Sequence, residues 1–152
     1  MAITTGSFNF YDSVKGQIGK GLVDLDTQTF AVLLTTSAYT PDSATHNFVD
    51  DITNEVAGGT GYSRQNLANP SFVLSGGGNG QMKFDSDDPV WTASGGSITA
   101  RYWVLFENTN VTDATRNLVA WGLLDNSPAD VTATDTNTLT ITVNAGGWFT
   151  MG

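Results

Sequence analysis

The chain has 152 residues and no cysteine, which gives it the length of one domain and excludes disulfides, thiolate metal sites and cysteine nucleophiles together. Fifteen acidic residues against six basic ones leave a formal charge of −9, a balance that repels nucleic acid and anionic membranes and argues against direct contact with packaged DNA. Seventeen glycines, abundant threonine and few Lys or Glu disfavour long surface helices and favour strands joined by tight turns.

No positively charged start precedes an apolar run, and no apolar stretch approaches membrane-span length, so a soluble, unexported chain is expected. Met1–Ser7 is small and polar, suited to a flexible N-terminal arm on a single domain covering 1–152. Tyr11–Lys20 predicts a weak helix interrupted by Gly16 and Gly19. Thr29–Thr36 is apolar on both faces, with Phe30, Val32 and Leu34 on one side and Ala31 and Leu33 on the other, which predicts a central strand covered by a second layer. Residues 39–61 form a long connection in which Phe48, Ile52 and Val56 recur at spacing four, predicting a short helical turn stopped by Gly58-Gly59.

Short strands are then predicted at Tyr62–Arg64, Phe72–Leu74 and Gln81–Phe84, separated by Asn69-Pro70 and by the turn Gly76-Gly77-Gly78. Pro89–Thr92 and Ser97–Glu107 read as a hairpin turning at Gly95-Gly96. In its long strand Ile98, Ala100, Tyr102, Val104 and Phe106 share one face, while Arg101, Trp103 and Leu105 share a half-covered one. Leu118–Leu124 is again apolar on both faces, and Thr138–Asn144 alternates strictly. The sum is an all-β fold, an antiparallel sandwich or flattened barrel of jelly-roll or immunoglobulin-like kind.

Candidate chemistry is sparse. Asp85, Asp87 and Asp88 carry oxygen ligands of the kind Ca²⁺ takes, but Pro89 and the missing glutamate break the helix-loop-helix calcium pattern; a turn bonded to nearby backbone is the simpler reading. Asp50, Asp51 and Glu55 beside His46 suit a helix N-terminus. A single histidine excludes multi-histidine zinc sites, and neither a nucleophile elbow nor a phosphate-cradling loop is present. No enzyme activity, cofactor or metal is expected. Arg64 and Arg101 stand alone in apolar strand sequence and are expected to pair with a carboxylate or stack on an aromatic. Arg101 with Trp103, and the terminal aromatics Phe8, Phe10, Tyr11, Trp148 and Phe149, are candidates for subunit contact, against the simpler reading of core and edge strands.

Five segments in fixed order, FYDSVKGQIGKGLVDLDTQTFAVLLTTSAYTPD, FVDDITNEVAGGTGYSRQNL, MKFDSDDPVWTASGGSITARYWVLFENT, LVAWGLLD and NAGGWFTMG, resemble a family of small virion structural proteins of tailed bacteriophages. The resemblance covers nearly the whole chain. It implies a capsid cement or decoration protein, made in the host cytoplasm and bound to the capsid surface, with the phage major capsid protein as partner and a homotrimer as assembly. No nucleic-acid or membrane partner is implied. A tail or fibre-adaptor component and a carbohydrate-binding sandwich are the alternatives.

Overall fold

In the computed structural model, which describes residues 1–4, 7–75 and 80–152, the segment that is apolar on both faces forms β3 (Phe30–Thr35), buried along its whole length. It lies inside a five-stranded antiparallel sheet ordered β2 (Phe8–Phe10), β10 (Leu118–Leu123), β9 (Tyr102–Glu107), β3, β4 (Gln65–Asn66). A strand with neighbours on both edges and layers on both faces has no position for a charged side chain, and FAVLLT contains none.

The inner face of this sheet is covered by smaller sheets. β12 (Thr138–Thr142) lies between β1 (Ala2–Thr4) and β7 (Val90–Thr92), β11 (Val131–Ala133) pairs with β8 (Ile98–Ala100), and β6 (Met82–Asp85) lies between β13 (Phe149–Met151) and β5 (Ser71–Leu74). Phe30, Val32, Leu34, Trp103 and Leu105 from the large sheet share one core with Trp91, Ile98, Leu139, Ile141, Trp148 and Phe149 from the small ones. The helix α1 (Asp12–Gly19), where the sequence predicts one, adds Val14 to that core.

The outer face carries Ala31, Leu33, Val104 and Phe106 and is covered by Tyr11, Tyr39 and Val49. Two of these belong to the long connection, whose helical content is one 3-10 turn at Val49–Asp51. The architecture is therefore an all-β, sandwich-like stack, and no sheet closes into a barrel among the described residues. Strand pairing is antiparallel except at β1, which joins β12 in parallel with Ala2 opposite Thr140. Thr5 and Gly6 of the expected arm, and the expected turn Gly76-Gly77-Gly78, lie outside the described residues.

Three expectations about the strands are corrected. Tyr62–Arg64 is not a strand; pairing with β3 begins at Gln65, and the next stretch of that β3 edge is taken at Leu34, whose N–H donates to the Tyr62 hydroxyl and whose carbonyl accepts from Val56 N–H. The hairpin at Gly95-Gly96 does not form, since β7 pairs with β12 and β8 with β11. The long strand Ser97–Glu107 is broken at Arg101, whose N–H donates to the Thr35 carbonyl at 2.8 Å and whose carbonyl accepts from Leu124 N–H at 2.8 Å. The break slips the alternation by one residue, so Ile98 and Ala100 share their core with Trp103 and Leu105 instead of Val104 and Phe106. The backbone crosses there from one layer of the sandwich to the other.

One glycine shows how tightly the inner layer closes. Gly122 lies opposite Trp103, and a Cβ added to it would stand 2.6 Å from the indole ring. That ring meets Trp148 edge to face at 5.1 Å, so it has no free side toward which to retreat.

Candidate functional site

Trp103, Tyr11, Trp148 and Phe149 are each at most 1% exposed. Of the two readings given for them, subunit contact or core and edge strands, their burial fits the second: they are interior residues of the chain's own core. The register slip at Arg101 explains Trp103, since it turns the supposed half-covered side of the strand inward. The terminal aromatics cover one another. Phe10 meets Phe149 at 4.9 Å and Phe8 at 5.2 Å, and Phe149 stacks on Phe84 at 5.3 Å, so β2 and β13 interlock. Phe8 and Phe10 are left half-buried. Arg101 stays partly exposed and pairs with Asp130 at 2.8 Å, where the Ser37 hydroxyl also reaches the carboxylate at 3.4 Å.

The acidic turn is divided among separate partners. Asp85 accepts from Lys83 Nζ at 2.6 Å and Ser86 N–H at 3.0 Å, Asp87 from Asn69 Nδ2 at 2.7 Å, and Asp88 from Val143 N–H at 2.8 Å. Asp85 is satisfied within its own strand and turn while Asp87 and Asp88 tie the turn to neighbouring segments, and no group of three or more His, Cys, Asp or Glu able to hold a metal occurs among the described residues.

Two polar networks fasten the cover of the outer face. Arg64 forks onto Glu55 through Nε–Oε1 at 2.9 Å and Nη2–Oε2 at 2.8 Å, and onto Asp113 through Nη1–Oδ1 at 2.8 Å and Nη2–Oδ2 at 3.0 Å. Its guanidinium stands 5.6 Å from the centre of the Phe106 ring, so it both pairs and stacks. The Arg64 bonds hold the Asp113 carboxyl below the ordinary aspartate range. Arg116 adds a second cation to Asp113 at 2.8 Å. Tyr62 donates to Glu55 at 2.8 Å and accepts from Leu34 N–H at 3.0 Å, and its burial pushes its hydroxyl pKa up.

In the second network the Tyr11 and Tyr39 hydroxyls meet at 3.0 Å and Tyr39 reaches His46 Nδ1 at 2.9 Å. Burial raises the Tyr39 hydroxyl to about 12 and raises Tyr11 also. Asp51 accepts from the N–H groups of Asn47 and Phe48 at 2.7 and 3.0 Å, which fixes the 3-10 turn and lowers its carboxyl pKa. At the end of β9, Glu107 is fully buried yet satisfied: it accepts from Thr109 N–H, from Asn110 N–H at 3.1 Å and from Asn110 Nδ2 at 2.8 Å, which shapes the loop that carries Asp113.

What these networks leave on the surface is aromatic. Tyr102 and Trp121 are half-buried and meet edge to face at 5.9 Å; Tyr39 lies 6.0 Å from Tyr102, and Trp121 Nε1 donates to Ser43 Oγ at 3.0 Å. Leu123 lies opposite Tyr102 in the ladder and Trp121 opposite Val104, so all three side chains lie on the outer face, next to the Arg101–Asp130 pair. Half-covered Tyr and Trp beside a paired Arg have the composition of a contact hot spot. Continuous alternation assigns Tyr102 to a core face, and the signal that distinguishes it is the diagonal pairing with Trp121, visible only once β9 and β10 are in register. No protein-family model, curated protein or solved structure matches the chain.

Proposed function

We propose that the chain is a non-enzymatic virion structural protein of a tailed phage, a cement or decoration protein that binds the assembled head shell, with the major capsid protein as partner and a trimer as assembly. The observation that carries this reading is the ordered run of distinctive segments through nearly the whole sequence. The geometry supports it in a second way. The polar networks described above tie segments of the fold together, and the outer face presents the half-buried Tyr102–Trp121 pair as a contact patch. A cement of this kind stabilises the shell by RT ln(1 + [L]/Kd) per site.

Purified capsids mixed with the chain test this directly. Binding at a fixed ratio to the shell protein and a raised capsid melting temperature are expected; absence of both sinks the proposal. Trp121→Ala is expected to weaken capsid binding while leaving the chain folded. Recovery of the protein only with tails would favour the tail or fibre-adaptor reading. The half-exposed Tyr102 and Trp121 rings, the latter beside Ser43, are also what a sugar-stacking surface requires, so a glycan array distinguishes the carbohydrate-binding alternative.

A further inference from the structure

The sheet edge formed by β5 is open on its backbone as well as on its side chains. β5 ends the order β13-β6-β5, and Ser75 N–H donates to the Gln81 carbonyl at 2.8 Å. With Val73 opposite Lys83 and Leu74 opposite Met82, that bond sets the alternation of the ladder. Ser71, Val73 and Ser75 face β6; the N–H and C=O groups of Phe72 and Leu74 point away from it. None of these four groups takes a partner among the described residues.

Natural edges are usually guarded by a lysine, a proline or a bulge. The segment SFVL has none of these, and Leu74 is 68% and Val73 45% exposed. Beside the edge opens a cavity of about 250 Å³ lined by Phe72, Ile18, Val23 and Leu25, with Asp24 at its rim. Leu22 next to it is 53% exposed. Asp24 is kept ionised by the Thr27 hydroxyl and by backbone N–H groups of Asp26 and Thr27, and no cation lies within ion-pair distance of it among the described residues.

We propose that β5 is a strand-docking edge that takes an extended apolar segment of another protein, with one apolar side chain seated in the cavity and a lysine or arginine beside it facing Asp24. Charge selects this occupant. A second copy would bring another Asp24 and another −9 to the same contact, whereas a cation-flanked strand meets a carboxylate with no cation beside it and four backbone groups without a partner among the described residues. The inference stands apart from the cement reading, since it rests on edge geometry and needs no capsid.

The test uses the full chain and two synthetic peptides of alternating valine and threonine, one flanked by lysines and its twin by glutamates. The lysine peptide is expected to bind, to slow hydrogen exchange at the amides of Phe72 and Leu74, and to bind roughly tenfold more tightly than its twin at low salt. Asp24→Asn should narrow that difference. Leu74→Pro blocks an outward N–H without touching the β6 pairing and should abolish binding; Leu74→Lys, which removes no hydrogen bond, is the second variant should the first fail to fold. Unchanged binding by both variants, no binding by the wild type, or protection of the same amides by self-association alone overturns the proposal.

Discussion

On its inner face the five-stranded sheet meets other strands, and Phe30, Trp103 and Leu105 pack against Trp91, Ile98 and Trp148 with little polar mediation. On its outer face it meets an irregular connection that cannot pair as a strand along its length. There Arg64 binds Glu55 and Asp113, and Tyr39 joins Tyr11 to His46, so hydrogen bonds and ion pairs position the apolar lid formed by Tyr39 and Val49. The contrast teaches where each kind of interaction is used. Strands carry their own backbone partners and need only shape to close, whereas a loop lid must have its backbone and its register held by side chains.

Breaking the inner face should cost most. Trp103→Ala removes a fully buried ring between two layers and is expected to destabilise by roughly 3–5 kcal/mol in urea unfolding. Gly122→Ala tests the same closure from the opposite side. Its Cβ meets the Trp103 ring, so a cost of roughly 1–3 kcal/mol is expected, falling when Trp103→Phe is made in the same chain.

The outer lid is expected to yield more gently and to respond to pH and salt. Tyr39→Phe leaves the buried Tyr11 hydroxyl and His46 Nδ1 without their common partner, at about 1–2 kcal/mol. Because folding raises the Tyr39 hydroxyl from 10.0 to about 12, its contribution is complete below pH 10 and is lost as pH rises through about 12. The lid should therefore open in alkali ahead of the inner core, read as tyrosinate absorbance and a change in Trp121 fluorescence. Arg64→Gln should cost about 1 kcal/mol, less in high salt, since the pair is partly exposed at 29% and 26%. Asp113, lowered by that arginine, contributes above the ordinary aspartate range and loses its contribution as pH falls through and below it, so Arg64→Gln should flatten the acid limb of the stability profile.

Much of the inner face was legible in the sequence. The two-sided apolar run at 29–36 became the buried β3, and the alternation at 138–144 became β12 with Leu139 and Ile141 inward. The outer lid was not, because its partners are far apart in sequence and their types are common: nothing local joins Arg64 to Asp113 or Tyr11 to Tyr39. The expected pairing of Arg64 with a carboxylate did hold, since an isolated cation near a core must find an anion.

The sequence by itself determined that this chain is built of strands, which of its runs are central, and that its acidic turn is capped, because periodicity, glycine and Asx chemistry act over a few residues. Only the tertiary structure decided which side of ITARYWVLFE faces inward. The alternation of the sequence runs unbroken through Arg101, and the slip that buries Trp103 in the inner core and leaves Tyr102 half-buried on the outer face is held by two hydrogen bonds, to Thr35 and from Leu124, each reaching across more than twenty residues of chain.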